Sequence, residues 1–402
     1  MTILRSLRLR PNVVGRRNYI VLGIETSCDD TSVCLYDRYS PAEPPRLISS
    51  LTASLDNKEF RGIVPSRAIN HHQQHLARLV SQAVCPANNA APQITPDLIC
   101  VTRGPGMRGS LSVGVEFAKG LSVAWGGIPI VGVHHMLAHL LTPRLLTNGS
   151  APRFPFLSLL VSGGHTMLVL SVSLLEHRIL ANTIDIAMGD AIDKSARELG
   201  LNGNMNGPEL EKLVQRYDES VRGDGRDDDE VVGIKIRLPM QPKPGRPQAA
   251  AFSFSSFVSM VSRGIAQKGG IDALSESDVL VIAKQIEDAI FDHAVDRIRY
   301  TLSTVPRDEA AGIQDFVCAG GVGANLHLRK KLKEAFADRA MNFHFPPPEL
   351  CVDNGRMIAW AGIEMWETEG LHSTYDIMPT AKWSLEDIVG EVDGWRRIRS
   401  HE

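Results

Sequence analysis

Two histidines four residues apart, His135 and His139, are the side chains in this 402-residue sequence best spaced for chemistry. They lie in Val133-His134-His135-Met136-Leu137-Ala138-His139-Leu140. The apolar run at 128–133 reads as a buried strand, and 136–141 contains no turn residue. If that segment is helical, the two imidazoles stack on one face, a turn apart. Two neutral imidazoles so placed can share one divalent ion, with a third ligand from elsewhere. Two histidines packed at a helix start is the competing reading. A zincin-type protease is disfavoured, because it needs Glu beside the first His and here Met136 follows His135.

Other reactive side chains cluster at turns. Tyr19 to Glu25 followed by Thr26-Ser27-Cys28-Asp29-Asp30 and a second β-rich run reads as a hairpin whose tip presents carboxylates and hydroxyls. The same shape recurs at 156–170, where Ser162-Gly163-Gly164-His165-Thr166 forms a small polar tip. The turn Arg103-Gly104-Pro105-Gly106-Met107 joins a buried strand (97–102) to a helix (110–125). Its glycines suit either an anion site at a helix N-terminus or a tight turn. Asp193-Lys194 falls within a helix stopped by Gly200. A further glycine turn, Gly320-Gly321-Val322-Gly323-Ala324-Asn325, opens a helix carrying Arg329, Lys330, Lys331 and Lys333. Asp353-Asn354 precede an apolar helix and are placed to cap it.

These positions need a scaffold, and the composition supplies one. Hydrophobic residues make up 43% and charged residues 22%, as in a globular protein. No apolar run reaches the length of a membrane span. Six cysteines without a C-x-x-C pair argue for a reducing compartment and against a cysteine zinc site. The two hairpins suggest a duplicated α/β architecture. A long amphipathic helix is expected over 275–301, with Ser275 and Asp278 at its start and a stripe of Val279, Ile282, Ile286, Ile290, Val295 and Ile298. His71-His72-Gln73-Gln74-His75 opens another helix. The acid run Asp227-Asp228-Asp229-Glu230 and the prolines at 239, 242, 244 and 247 make 220–248 read as a solvated insertion.

Residues 1–17 carry Arg5, Arg8, Arg10, Arg16 and Arg17, with no acid before Glu25. That is the composition of a mitochondrial transit peptide. Its removal leaves 38 of the 43 basic residues against 46 acidic ones, so nucleic-acid binding needs a local basic patch.

Taken together, Ile24-Glu25-Thr26-Ser27-Cys28-Asp29, the Gly-Pro-Gly turn, His-x-x-x-His, the Ser162–Thr166 tip, Asp193-Lys194, the Gly320–Asn325 turn and Asp353-Asn354-Gly355 resemble, in order, the TsaD-type tRNA threonylcarbamoyladenosine transferases. The resemblance spans about residues 19–370, and with the leader it is to the eukaryotic mitochondrial branch. It implies an α/β chain with the actin-like ATPase (sugar kinase) fold: two RNase H-like lobes around a nucleotide cleft. The expected boundaries are 18–152 for the first lobe, with a C-terminal helix at about 354–402 packing back on it, and 153–353 for the second. It also implies transfer of threonylcarbamoyl from threonylcarbamoyl-AMP to the N6 amine of the adenosine next to the anticodon in ANN-decoding tRNAs, releasing AMP. His135, His139 and Asp353 would then hold one divalent metal, and two histidines with a carboxylate suit iron, zinc or manganese. Ser162, Gly163, Gly164, His165, Thr166, Asp193, Gly207 and Asn325 would line the adenylate pocket. The attacking amine of the implied reaction would be helped by a base, for which Asp29 at the first hairpin tip is the candidate, against a plain hydrogen-bonding role there. The implied partners are tRNA and a Sua5/YrdC-type enzyme that supplies the adenylate. A homodimer in the mitochondrial matrix, without membrane attachment, is implied as well.

The chain departs from the family pattern in three places. Pro65-Ser66-Arg67-Ala68-Ile69-Asn70 lacks the charged pair of Pro-Glu-x-Ala-x-Arg. Gly203-Asn204-Met205-Asn206-Gly207-Pro208 is one residue longer than Tyr-Pro-Gly-Gly-Pro, which loosens the match at Gly207. Phe252-Ser253-Phe254-Ser255-Ser256-Phe257-Val258 lacks the usual lysine, so a basic contact to tRNA is lost or moved. Arg329 to Lys333 and Arg396, Arg397 and Arg399 are alternative phosphate contacts, though ordinary solvated charge explains each alone. A kinase or ATPase of the same fold would use both hairpin tips but leave the histidine pair without a role. A non-catalytic scaffold would leave both the metal and the nucleotide motifs without one.

Overall fold

The computed structural model describes residues 18–398 apart from 58–59, 61, 86–92, 204–205, 225–232, 243–247 and 307–311. The expected leader, the acid run at 227–230, Asn204, Met205 and Arg399 therefore lie outside the described residues. The described residues form two compact units: 18–154 with 172–177 and 352–398, and 155–171 with 178–351.

The first unit opens with β1 (Tyr19–Glu25), β2 (Thr31–Arg38) and β3 (Arg46–Ala53), an antiparallel meander. Next come α1 (Pro65–Val84), β4 (Leu98–Gly104), α2 (Arg108–Ala124), β5 (Ile130–His134) and α3 (His135–Leu146). In the second unit, β6 (Phe156–Val161), β7 (Thr166–Ser171) and β8 (His177–Thr183) lead to α4 (Met188–Glu198), α5 (Gly207–Asp224), β9 (Ala251–Phe252) and α6 (Ser255–Gln267). That unit closes with α7 (Glu276–Thr304), β10 (Asp315–Ala319), α8 (Leu326–Ala335), β11 (Asn342–His344) and α9 (Pro348–Cys351). The chain then returns to the first unit as α10 (Gly355–Glu369), β12 (Leu371–Ser373) and β13 (Trp395–Arg397).

The first sheet runs β13-β12-β5-β4-β1-β2-β3 and the second β11-β10-β6-β7-β8-β9. Leaving out the two-residue β9 at the edge of the second sheet and counting the other strands within each unit, both contain the order third-second-first-fourth-fifth. In both, the first pairs antiparallel with the second and parallel with the fourth. This repeated RNase H-like order is the actin-like ATPase architecture.

In the first sheet, alternation of side chains settles which helix covers which face. Leu22, Ile24, Val33, Leu35, Ile99 and Val101 join Leu76, Leu79 and Val80 of α1 and Val115 of α2 in one core. On the opposite face small residues let α10 come close. A Cβ on Gly23 would meet the Gly355 carbonyl oxygen at 2.3 Å, and one on Gly362 would meet Cys100 Sγ at 2.2 Å. Asn354 caps α10 by accepting Met357 N–H, as expected for one of the Asp353-Asn354 pair. The helix expected over 354–402 ends much earlier, because Gly370 adopts the left-handed conformation at φ 61°. The remainder forms β12, turns and β13.

In the second unit, α7 carries the Ser275–Asp278 capping box anticipated for it. Ile282, Ile286, Ile290 and Ile298 of its stripe are fully buried, whereas Val279 is only partly so. Part of the stretch expected as a solvated insertion is packed: Ile234 is buried against Gly264 of α6. No helix among the described residues is long and apolar enough to cross a membrane.

Candidate metal centre

His135 is the first residue of α3 and His139 lies one turn along it, both nearly buried. Asp353 comes from the far end of the unit, immediately before the α10 cap. Two features bring it there. Gly23 and Gly355 allow β1 and α10 to touch backbone to backbone, and the Arg144–Glu364 ion pair (2.9 Å) ties α3 to α10. The result is that Asp353 Oδ1 lies 3.0 Å from His139 Nε2 and 3.4 Å from His135 Nε2. The two rings stand 4.8 Å apart and nearly perpendicular. One donor atom from each of the three residues lies within 4.8 Å of the others. This is a donor set of two borderline nitrogens and one carboxylate oxygen, and it fits a divalent ion with coordination positions left over.

Behind the ligand atoms lies Glu25, the last residue of β1 and fully buried. It accepts hydrogen bonds from Ser27 N–H and Thr102 Oγ1, and its Oε2 is 3.2 Å from His135 Nδ1. Ser27 Oγ is also 3.2 Å from that nitrogen. Burial by itself would push the His135 imidazole down, but the Asp353 and Glu25 carboxylates outweigh it and raise the group to about 9. Burial likewise opposes the Glu25 charge, and the facing imidazole holds this carboxyl below its ordinary value. A cation held by these residues would replace a proton in a site whose carboxylates already favour positive charge.

The tip above this centre is held from three sides. The Gly-Pro-Gly turn acts as a buttress, since Met107 N–H donates to Ser27 O and Gly106 N–H to Ala381 O. A Cβ at Gly106 would meet Ser27 O at 2.7 Å. From α1, His72 bonds Thr31 Oγ1 (2.8 Å) and Cys28 O (3.0 Å). Asp29, the candidate base, is half-buried, and one of its carboxylate oxygens accepts Asn57 Nδ2 at 2.8 Å.

The remaining predicted residues lie in the second unit. Gly163 and Gly164 are exposed at the β6–β7 tip, and Ser162 Oγ accepts the N–H groups of Gly164 and His165. Thr166 is buried, with its hydroxyl accepting Met188 N–H. Asp193 and Gly207 form one feature: Asp193 Oδ1 accepts the N–H groups of Asn206 and Gly207, each at 2.8 Å. Burial raises the Asp193 carboxyl against those bonds. Asn325 caps α8 through Leu328 N–H and donates to Glu287 Oε1 at 2.7 Å. Beside it a cavity of about 420 Å³ opens between α5, α7 and α8, lined by Glu211, Val214, Glu287, Leu326, His327 and Lys330. Burial pushes the Glu287 carboxyl up to about 7. Glu25, Glu211 and Glu287 were missed by the sequence reading, which places strand-end and helix acids on the surface by default.

The basic residues of α8 are mostly committed within the fold. Arg329 donates to the carbonyls of Gly323 and Pro346, and Lys331 pairs with Asp288 and Asp292. Lys333 lies over the Phe345 ring.

A family model described as TsaD, tRNA N6-adenosine threonylcarbamoyltransferase, matches residues 46–360. The mitochondrial tRNA N6-adenosine threonylcarbamoyltransferase of Schizosaccharomyces pombe is 35% identical over 405 residues, covering 97% of this chain and 92% of that protein. The chain belongs to the TsaD family. Similarity to solved structures is more distant. The 2-hydroxyisocaproyl-CoA dehydratase activator of Clostridium difficile with bound ADPNP shares 12% identity at a TM-score of 0.44, over 87% of this chain and 96% of that one. YeaZ from Pseudomonas aeruginosa shares 18% at 0.27, over 40% and 63%. This TsaD family member carries the actin-like strand order in both sheets and the His135–His139–Asp353 cluster in its first unit.

Proposed function

We propose that this chain transfers the threonylcarbamoyl group from threonylcarbamoyl-AMP to the N6 amine of the adenosine next to the anticodon in ANN-decoding mitochondrial tRNAs, releasing AMP. The convergence of His135, His139 and Asp353 beneath the Asp29-bearing tip, in a TsaD family chain, carries this reading. Those three side chains hold one divalent ion (iron, zinc or manganese). When bound, that ion supplies a Lewis acid for charge developing on the carbamoyl oxygen.

The chain's own groups do the rest. An exocyclic adenine amine is a weak nucleophile because its lone pair is delocalised into the ring. Asp29, steadied by Asn57, takes its proton as the new N–C bond forms. The bond from the carbamoyl carbon to the phosphate oxygen then breaks, and AMP leaves with the electron pair. Glycine backbone at Gly163 and Gly164 meets the phosphate, with Ser162, His165 and Thr166 shaping that tip. Asp193, with Gly207 fixed on it, takes a ribose hydroxyl. Asn325 contacts the nucleotide and, through its bond to Glu287, holds one wall of the neighbouring cavity.

The arginine-rich leader, and a relative named as mitochondrial, support a matrix location. A Sua5/YrdC-type enzyme supplies the adenylate, and the working unit is a homodimer. The test is to mix the purified protein with threonylcarbamoyl-AMP and mitochondrial tRNA, then digest to nucleosides. Threonylcarbamoyladenosine from wild type, with at least about a 100-fold loss in His139→Ala, is expected. ATP turnover without tRNA and no modified nucleoside would point instead to a kinase-like ATPase.

A further inference from the structure

We infer that Glu25 is the positioning residue of the candidate metal centre, aligning His135 for the ion and coupling it to the hairpin tip. This rests on the metal reading above. Glu25 is fully exposed to the cost of carboxylate burial, and none of its hydrogen-bond partners is lysine or arginine. They are the Ser27 N–H, the Thr102 hydroxyl and His135 Nδ1. A carboxylate bound this way is poorly suited to simple core packing. It is well suited to receiving the N–H of an imidazole whose other nitrogen must face a cation.

The two histidines are treated unequally. His135 Nδ1 has both Glu25 Oε2 and Ser27 Oγ at 3.2 Å, whereas His139 Nδ1 is buried with no partner. Orientation control in the pair is therefore concentrated on His135. Because Ser27 N–H bonds the same carboxylate, and Ser27 O receives Met107 N–H, ring and tip are registered through one side chain. Loss of Glu25 frees the ring to rotate about its χ angles and unhooks the tip together.

The experiment is equilibrium titration of the full-length, metal-stripped protein with Co²⁺, followed by its visible absorption bands. Wild type, His139→Ala, Glu25→Ala and Glu25→Gln are compared well below their unfolding temperatures. Wild type binds one ion and His139→Ala abolishes the bands, which assigns the ion to this centre. Glu25→Ala weakens binding about 10- to 100-fold, and Glu25→Gln, which keeps one acceptor oxygen, falls between. A purely structural role would lower the unfolding temperature while leaving the affinity of the folded protein unchanged. Should Glu25→Ala fail to fold, Glu25→Gln carries the test. Wild-type affinity in the folded Glu25 variants overturns the positioning role alone. A wild type that binds no ion overturns the metal reading and this inference with it.

Discussion

The tip between β1 and β2 is packed almost shut, whereas the tip between β6 and β7 stands open. Glu25 and Thr26 are fully buried and Ser27 nearly so, while Gly163 and Gly164 are exposed with nothing near the place a Cβ would occupy. The strand order that makes the two tips is the same. What differs, in the proposed function, is what each would hold. A charged centre needs its ligands fixed to fractions of an ångström, so the first tip is braced by the Gly-Pro-Gly turn, by His72 and by Glu25. A phosphate at the second tip would be met by backbone, which the two glycines leave open to approach. The duplication thus yields one rigid, polar-cored tip and one small, accessible tip.

The sharpest way to break this contrast is to add a methyl group where the first unit is tightest. Gly23→Ala places a Cβ 2.3 Å from the Gly355 carbonyl oxygen and 2.8 Å from Ala359 Cβ. Chemical denaturation should show a loss of about 3 kcal/mol, and the Asp353 carboxylate should leave the histidines. Wild-type stability would mean that the close approach of β1 and α10 does not set the centre.

Acid probes the second unit instead. His293 is fully buried against the Phe254 and Phe257 rings, and burial, then Arg297, push its imidazole down to about 4. Its folded value lies below the ordinary one, so its contribution to stability is complete above about pH 6.5 and is lost as pH falls toward 4. His293→Phe should remove on the order of 2 kcal/mol of that pH dependence, read from denaturation midpoints at the two ends of the window. An unchanged acid limb would place the protonation elsewhere. The smallest effect is expected at the open tip. Gly163→Ala should alter stability by less than about 0.5 kcal/mol, and a larger loss would mean that this tip is braced as well.

Much of this was legible in the sequence, for reasons that are local. Alternation and turn residues announce both hairpins, and Ser275 with Asp278 announces the start of α7. The spacing of His135 and His139 puts them on one helical face before any tertiary contact is known. The remainder depends on contacts between residues hundreds of positions apart. Asp353 reaches the histidines only because glycines at 23 and 355 let a strand and a helix touch. Glu25 reads as the polar end of a strand until Thr102 and His135 are brought over it. The cavity near Asn325 combines Glu211, Glu287 and Leu326 from three helices, and no spacing rule links them. Arg329 reads as a surface cation, but the carbonyls of Gly323 and Pro346 claim it.

In the proposed function, an ion held by His135, His139 and Asp353 supports carbamoyl transfer to tRNA. Its most direct test is a single-turnover reaction of metal-stripped protein with threonylcarbamoyl-AMP and tRNA, with metal added back in steps. Modified adenosine should rise in proportion to added ion and level off at one equivalent per chain, with no rise in Asp353→Ala. Full product from the stripped protein, or an undiminished rise in Asp353→Ala, would contradict it.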